Sequence, residues 1–172
     1  MATGKTTVGR LVAKSLGRPF VDLDRLVEEL AGMTVVEIFR SKGETAFRRW
    51  ETQALEQALA VASTVVATGG GAACRQDNLQ LMLERGFVLA LSVTPAEAIN
   101  RTRSGGSGQG AGAATGRPLL DDAVDPLGVA QQLLRDREPF YRQAHLRVDT
   151  VGKTPAEVAA EVLSALRKEG QS

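Results

Sequence analysis

Cysteine and histidine are almost absent, each occurring once, as Cys74 and His145. One cysteine cannot close an internal disulfide or build a thiolate metal site. One histidine rules out multi-histidine zinc centres and leaves little room for a histidine-based nucleophilic triad. An excess of one charge is missing too: 21 basic residues against 20 acidic give a net charge of +1, which excludes a strongly basic nucleic-acid binder. No apolar run approaches the ~20 residues that span a bilayer, and the start lacks the apolar core of a signal peptide. A cytoplasmic protein with neither nucleic acid nor membrane as partner is expected. No exposed apolar repeat is visible, so a monomer is expected as well.

What is present suits one domain. The chain has 172 residues, 43% hydrophobic and 24% charged, enough to bury a core and too short for two. Short apolar runs alternate with longer amphipathic segments. Phe20–Asp24, Thr64–Thr68, Phe87–Val93 and Leu146–Asp149 read as buried strands. Lys5–Leu16, Val35–Ala62, Gln76–Arg85 and Pro126–Ala144 read as helices, the second broken in two. Pro155–Glu169 reads as a closing helix, with Thr154 at its N-cap and proline in its first turn. The alternation predicts an α/β domain with a parallel sheet covered on both faces. Four strands are visible, one fewer than that architecture normally needs. Ser104–Gly116 differs from the rest: it holds six of the 18 glycines and no charge, aromatic or large apolar residue. Flanked by Arg101, Arg103 and Arg117, it reads as a surface lid carrying arginines rather than as a linker.

The chain opens Met-Ala-Thr-Gly-Lys-Thr-Thr and runs straight into an amphipathic helix. Gly-Lys-Thr is the second half of the phosphate-loop pattern G-x-x-x-x-G-K-[ST]. Gly4 would let the backbone curl round a phosphate, with exposed helix amides binding it. Lys5 would reach the β- and γ-phosphates, and the Thr6 hydroxyl would hold Mg²⁺. The first glycine of the pattern falls two positions ahead of Met1. The expectation is therefore a chain that begins inside its own motif, lacking the strand that feeds it, and poorly soluble or inactive when it starts at Met1.

Further candidates follow in order. Asp22 and Asp24 are two apart, which on a strand puts both on one face at its carboxyl end, where open α/β sheets bind ligands. Solvated acids in a strand-end turn are the alternative. In Gly43–Glu51 (GETAFRRWE), Glu44 and Arg48 are four apart and Arg48 and Glu51 three apart on a helix. Such pairing would hold Arg48 rigidly for bidentate capture of a carboxylate. Phe47 and Trp50 read as core packing rather than ligand stacking, with a place for Trp50 at the border of the site as the alternative. Gly69, Gly70 and Gly71 directly follow an apolar strand and would let a ligand approach the backbone closely. Arg117-Pro118-Leu119-Leu120 closes the lid segment, and Arg137 stands four residues before Tyr141 on the next helix.

In this order and spacing, across essentially the whole chain, the sequence resembles the shikimate kinases, small P-loop kinases of the nucleoside-monophosphate-kinase type. The resemblance implies a three-layer α/β/α fold whose first strand is missing here, with a substrate-binding region at about 22–51 and a lid at about 102–118. It implies ATP-dependent phosphorylation of the shikimate 3-hydroxyl on the route to chorismate, with Mg²⁺ as cofactor and ATP as co-substrate. By position it assigns catalysis to Lys5, Asp24 and Arg117. Nucleotide contacts fall to Ala2, Thr3, Gly4, Lys5, Thr6, Thr7, Arg101, Arg117 and Lys153. Substrate contacts fall to Asp24, Arg48, Gly69, Gly70, Gly71 and Arg137, and metal contacts to Thr6 and, through water, Asp22. A gluconate-type sugar-acid kinase, or a phosphate-loop remnant without turnover, are the alternatives.

Overall fold

The computed structural model describes residues 3–104 and 125–169. Helix α1 (Lys5–Leu16) starts at Gly4, whose φ of 81° is left-handed, and stops at Gly17, also left-handed. Strand β1 (Phe20–Asp22) leads directly into α2 (Leu23–Ala31). Helix α3 (Val35–Ala60) opens with a capping box: the Thr34 hydroxyl accepts from the Glu37 amide, and the Glu37 carboxylate accepts from the Thr34 amide. The break expected in this segment falls at Gly43, with φ 78° and ψ 174° inside the helix. Then come β2 (Val65–Ala67), a 3₁₀ turn (Ala72–Cys74), α4 (Gln76–Arg85), β3 (Leu89–Ser92) and α5 (Pro95–Ser104). Helix α6 (Pro126–Tyr141), β4 (Leu146–Asp149) and α7 (Pro155–Glu169) complete the described residues.

The strands pair in parallel, as the alternation predicts. Phe20 aligns with Val65 and Asp22 with Ala67; Leu89 aligns with Leu146 and Ser92 with Asp149. Among the described residues the result is two two-stranded sheets rather than one continuous sheet, with no ladder bond between β2 and β3. Both contribute to one cleft, which is lined by Thr68 and Gly69 after β2 and by Val88–Leu91 along β3. Adjacent residues of β2 show that both faces are covered. Val66 packs on a core of Leu23, Val27, Ile38, Phe47 and Leu55 from α2 and α3. Val65 packs on Val8, Val12, Val148, Val158 and Val162, contributed by α1, β4 and α7. Leu89 and Leu91 join that second cluster, so α1 braces both sheets from one side. Truncating a fully buried leucine such as Leu23 or Leu55 would cost about 2–5 kcal/mol.

Two sequence readings are corrected. The first strand ends at Asp22, not Asp24, because the Asp22 carboxylate accepts the Asp24 amide at 3.2 Å and so caps α2. Asp24 consequently lies in the first helical turn, and no shared strand face relates the two acids. Helices α2 and α5 went unassigned in the sequence. Among the described residues no helix is long and apolar enough to cross a membrane.

Candidate active site

At the N-terminus of α1 the first-turn amides have no partner within the helix, a ready site for an anion. Lys5 is half-buried, and its ammonium donates to the Thr3 hydroxyl at 3.4 Å. The Thr6 hydroxyl donates to Asp22 at 2.8 Å. Asp22 thus joins the start of α1 to the start of α2 through its two oxygens, one bonded to Thr6 and the other to the Asp24 amide.

The triglycine segment sits directly after β2, ringed by charge. A Cβ on Gly69 would stand 3.0 Å from an Asp24 oxygen and 3.4 Å from Glu51. One on Gly70 would meet Arg137 at 2.6 Å, and one on Gly71 would meet Arg48 at 2.8 Å. Residues scattered from 24 to 137 therefore converge on three consecutive glycines, whose missing side chains let them approach this closely. Thr3, Lys5, Gly69, Gly70 and Tyr141 line the same cleft.

Arg48 is held as the helix spacing predicts. Its guanidinium donates to Glu44 at 2.9 Å and to Glu51 at 2.9 Å, and it lies over the Phe47 ring at 5.2 Å. The partners differ in burial: the Glu51 side chain is 1% exposed and that of Glu44 65%. Burial by itself would lower the Arg48 pKa, but the Glu51 and Glu44 carboxylates outweigh it and hold it above the usual value. Burial also pushes the Glu51 carboxyl above its ordinary range, with Asp24 adding to the rise and Arg48 pulling it back. The pair therefore secures the charge on Arg48, while desolvation dominates on Glu51, the more buried partner.

Helix α6 brings Arg137 and Tyr141 to the same place. The Tyr141 hydroxyl donates to the Gly70 carbonyl at 2.7 Å, and burial raises its pKa. Cys74, on the 3₁₀ turn, donates to the same carbonyl at 3.6 Å. Arg101, on α5, is fully engaged. It pairs with Glu97 at 2.9 Å and donates to the Thr150 hydroxyl at 3.0 Å and the Thr150 carbonyl at 2.7 Å. Lys153 bonds Glu161 at 2.6 Å.

Comparison with known proteins turns this arrangement into a family assignment. The family model described as shikimate kinase matches residues 1–167. A shikimate kinase of Symbiobacterium thermophilum is 45% identical over 172 residues, covering 99% of this chain and 94% of that protein. One from Moorella thermoacetica is 42% identical, covering 97% of this chain and 90% of that protein. The chain belongs to the shikimate kinase family.

Solved shikimate kinases share the fold. The enzyme from Acinetobacter baumannii, in complex with shikimate, superposes with a TM-score of 0.87 at 34% identity, covering 98% of this chain and 89% of that one. The Aquifex aeolicus enzyme gives 0.81 at 30% identity over 99% of this chain and 94% of that one. The family's α/β P-loop kinase fold is thus the fold of this chain. Of the residues expected to form a shikimate kinase site, Asp24, Arg48, Gly69–Gly71 and Arg137 stand together, and Thr6 and Asp22 are joined by a hydrogen bond. Gly4 and Thr7 are exposed at the start of α1. Arg101 and Lys153 stand apart from the glycines, on α5 and beside β4, with protein partners. Ala2 and Arg117, with nearly all of the expected lid, lie outside the described residues. The bond from Tyr141 to Gly70 has no signal in the sequence beyond the tyrosine's place one turn after Arg137. Among the described residues no cluster of three His, Cys, Asp or Glu side chains could hold a metal by itself.

Proposed function

We propose that the protein transfers the γ-phosphoryl group of ATP to the 3-hydroxyl of shikimate, giving ADP and shikimate 3-phosphate. The observation that carries this reading is the convergence of two arginines and one aspartate on the triglycine turn. A small polyhydroxylated carboxylate needs cationic forks for its acid group and an acceptor for its hydroxyls. Arg48 and Arg137 supply the forks, Asp24 the acceptor, and the Gly69–Gly71 amides further donors.

Asp24 orients the 3-hydroxyl and accepts its proton as the oxygen attacks the γ-phosphorus and the bond to the β-phosphate oxygen breaks. Lys5 and the amides of Thr3–Thr7 hold the phosphates, with Ala2 and Arg117 completing the set from outside the described residues. Arg101 and Lys153 flank the adenine side. Mg²⁺ is the fitting metal, because Thr6 and Asp22 offer hard oxygen donors 2.8 Å apart, and it takes few protein ligands when phosphates supply the rest. When bound, the ion neutralises phosphate charge. The region 22–51 binds substrate, and the enzyme works as a cytoplasmic monomer.

A side-by-side assay tests the reading. ADP formation from ATP is followed with shikimate, with gluconate and with no acceptor. Shikimate is expected to support turnover at least ten times that of gluconate. Preference for gluconate, or equal rates with no acceptor, overturns the assignment.

A further inference from the structure

All three carbonyls of the triglycine turn accept hydrogen bonds from within the protein. Gly69 accepts from the Ala72 amide at 3.3 Å and Gly71 from the Cys74 amide at 3.0 Å. Those two bonds are local to the turn. The Gly70 carbonyl is different: its short bond, 2.7 Å, comes from Tyr141, 71 residues away at the end of α6. Its other contact, from the Cys74 thiol, is long at 3.6 Å and intrinsically weak. With its carbonyls engaged, the turn presents donors rather than acceptors to the cleft.

A trans peptide is planar, and its C=O and N–H point in opposite directions. Fixing the Gly70 carbonyl therefore fixes the direction of the Gly71 amide. The two local backbone bonds close the turn on either side of this peptide, but between glycines its central peptide can still flip, because each tolerates many φ/ψ combinations. The tyrosine is one helical turn from Arg137, whose guanidinium stands 2.6 Å from where a Gly70 Cβ would be. One helix thus carries both the arginine and the hydroxyl that sets the turn against it.

We infer that Tyr141 is a positioning residue: its hydroxyl locks the Gly70–Gly71 peptide in the orientation that, with Arg137, receives shikimate. The inference rests on the shikimate assignment above. Without the lock the competent orientation is one of several, and apparent affinity falls by the fraction of time it is occupied. The Tyr141 hydroxyl donates to the Gly70 carbonyl of the substrate turn, so the effect is expected in shikimate KM.

Tyr141 is the only tyrosine in the chain, which makes the test specific. In Tyr141→Phe, shikimate KM is expected to rise about three- to ten-fold, the usual worth of one lost neutral hydrogen bond, with ATP KM and kcat within about two-fold. A second form replaces tyrosine with 3,5-difluorotyrosine throughout, which alters this one side chain and makes its phenol more acidic. Its shikimate KM is expected to rise over the pH range in which the single ¹⁹F resonance shows ionisation, while the unmodified protein stays flat there. A phenolate cannot donate to Gly70; because the Arg137 guanidinium and the Cys74 thiol face the same hydroxyl, the Gly70 carbonyl shift separates loss of the lock from a change at Arg137. The carbonyl ¹³C shift of Gly70 in substrate-free protein is expected to move in both cases. An unchanged Gly70 shift, or a lower kcat with unchanged shikimate KM, overturns the inference. If the unmodified protein does not phosphorylate shikimate, the assignment of substrate fails with it, and the Gly70 shift still decides the lock by itself.

Discussion

Gly71→Ala isolates the geometry of the arginine clamp. The backbone of Gly71 has φ −96° and ψ −15°, in the right-handed helical region, where alanine is unstrained. Any effect must then come from the added methyl. That methyl would stand 2.8 Å from one Arg48 terminal nitrogen, 3.0 Å from the other and 3.2 Å from the guanidinium carbon. Ordinary contact begins near 3.4 Å, so the nearest nitrogen must retreat by 3.4 − 2.8 = 0.6 Å. It is the nitrogens that are tied, at 2.9 Å each, to Glu44 and to the buried Glu51. Moving them weakens the Glu51 bond or misaligns the fork toward its ligand. A charge-assisted hydrogen bond is worth about 1.5–3 kcal/mol, or roughly ten- to a hundred-fold in kcat/KM for shikimate. ATP KM should be unchanged, and the protein should stay folded, because the displaced group is the end of a flexible side chain. Steady-state kinetics with each substrate varied in turn reads both numbers. Wild-type shikimate KM and kcat in a folded Gly71→Ala protein would refute the reasoning.

Other outcomes follow from the same contacts. Arg48→Ala and Arg137→Ala should each cut kcat/KM for shikimate about ten- to a hundred-fold while leaving ATP binding intact by titration of the free enzyme. Asp24→Asn keeps the shape and removes the proton acceptor, so kcat should fall about a hundred-fold or more with little change in Tm, Asp24 being exposed. Arg101→Ala leaves Thr150, 1% exposed, without the bonds that tie it to α5; ATP KM should rise and Tm should fall by a few degrees on thermal melting. The Glu51 carboxyl has its pKa raised by burial above the ordinary 4.5. Its contribution to stability is therefore present below that value and lost as pH rises through the folded-state pKa. Urea midpoints from about pH 4 to pH 7 should decline less in Glu51→Gln than in the parent, and equal declines would contradict that sign.

Legibility in the sequence followed the range of the interaction. Helix α1 was readable end to end, because amphipathic spacing and Gly17 are local signals. The pairing of Arg48 with Glu44 and Glu51 was readable from helical spacing, but not the burial of Glu51, which depends on Gly69 and Asp24 arriving from other elements. Helix α2 was missed although its signals were present: Asp22 as cap, Leu23, Leu26, Val27 and Leu30 at helical spacing, and Gly32 as stop. An apolar-polar alternation carried the strand two residues too far across them. The bonds from Tyr141 to Gly70 and from Arg101 to Thr150 span 71 and 49 positions. Neither has a local pattern, because each exists only once the sheets are assembled.

The central claim is a transfer of phosphate to one oxygen of shikimate, and locating that phosphate tests it most directly. The protein is incubated with shikimate, ATP and Mg²⁺, and the product is analysed by correlated ¹H–³¹P NMR. A single new phosphate ester coupled to the proton on carbon 3, formed with an equal amount of ADP and absent in Asp24→Asn over the same time, is the predicted result. Phosphate on another oxygen, ADP released with inorganic phosphate alone, or full product formation by Asp24→Asn would contradict the account.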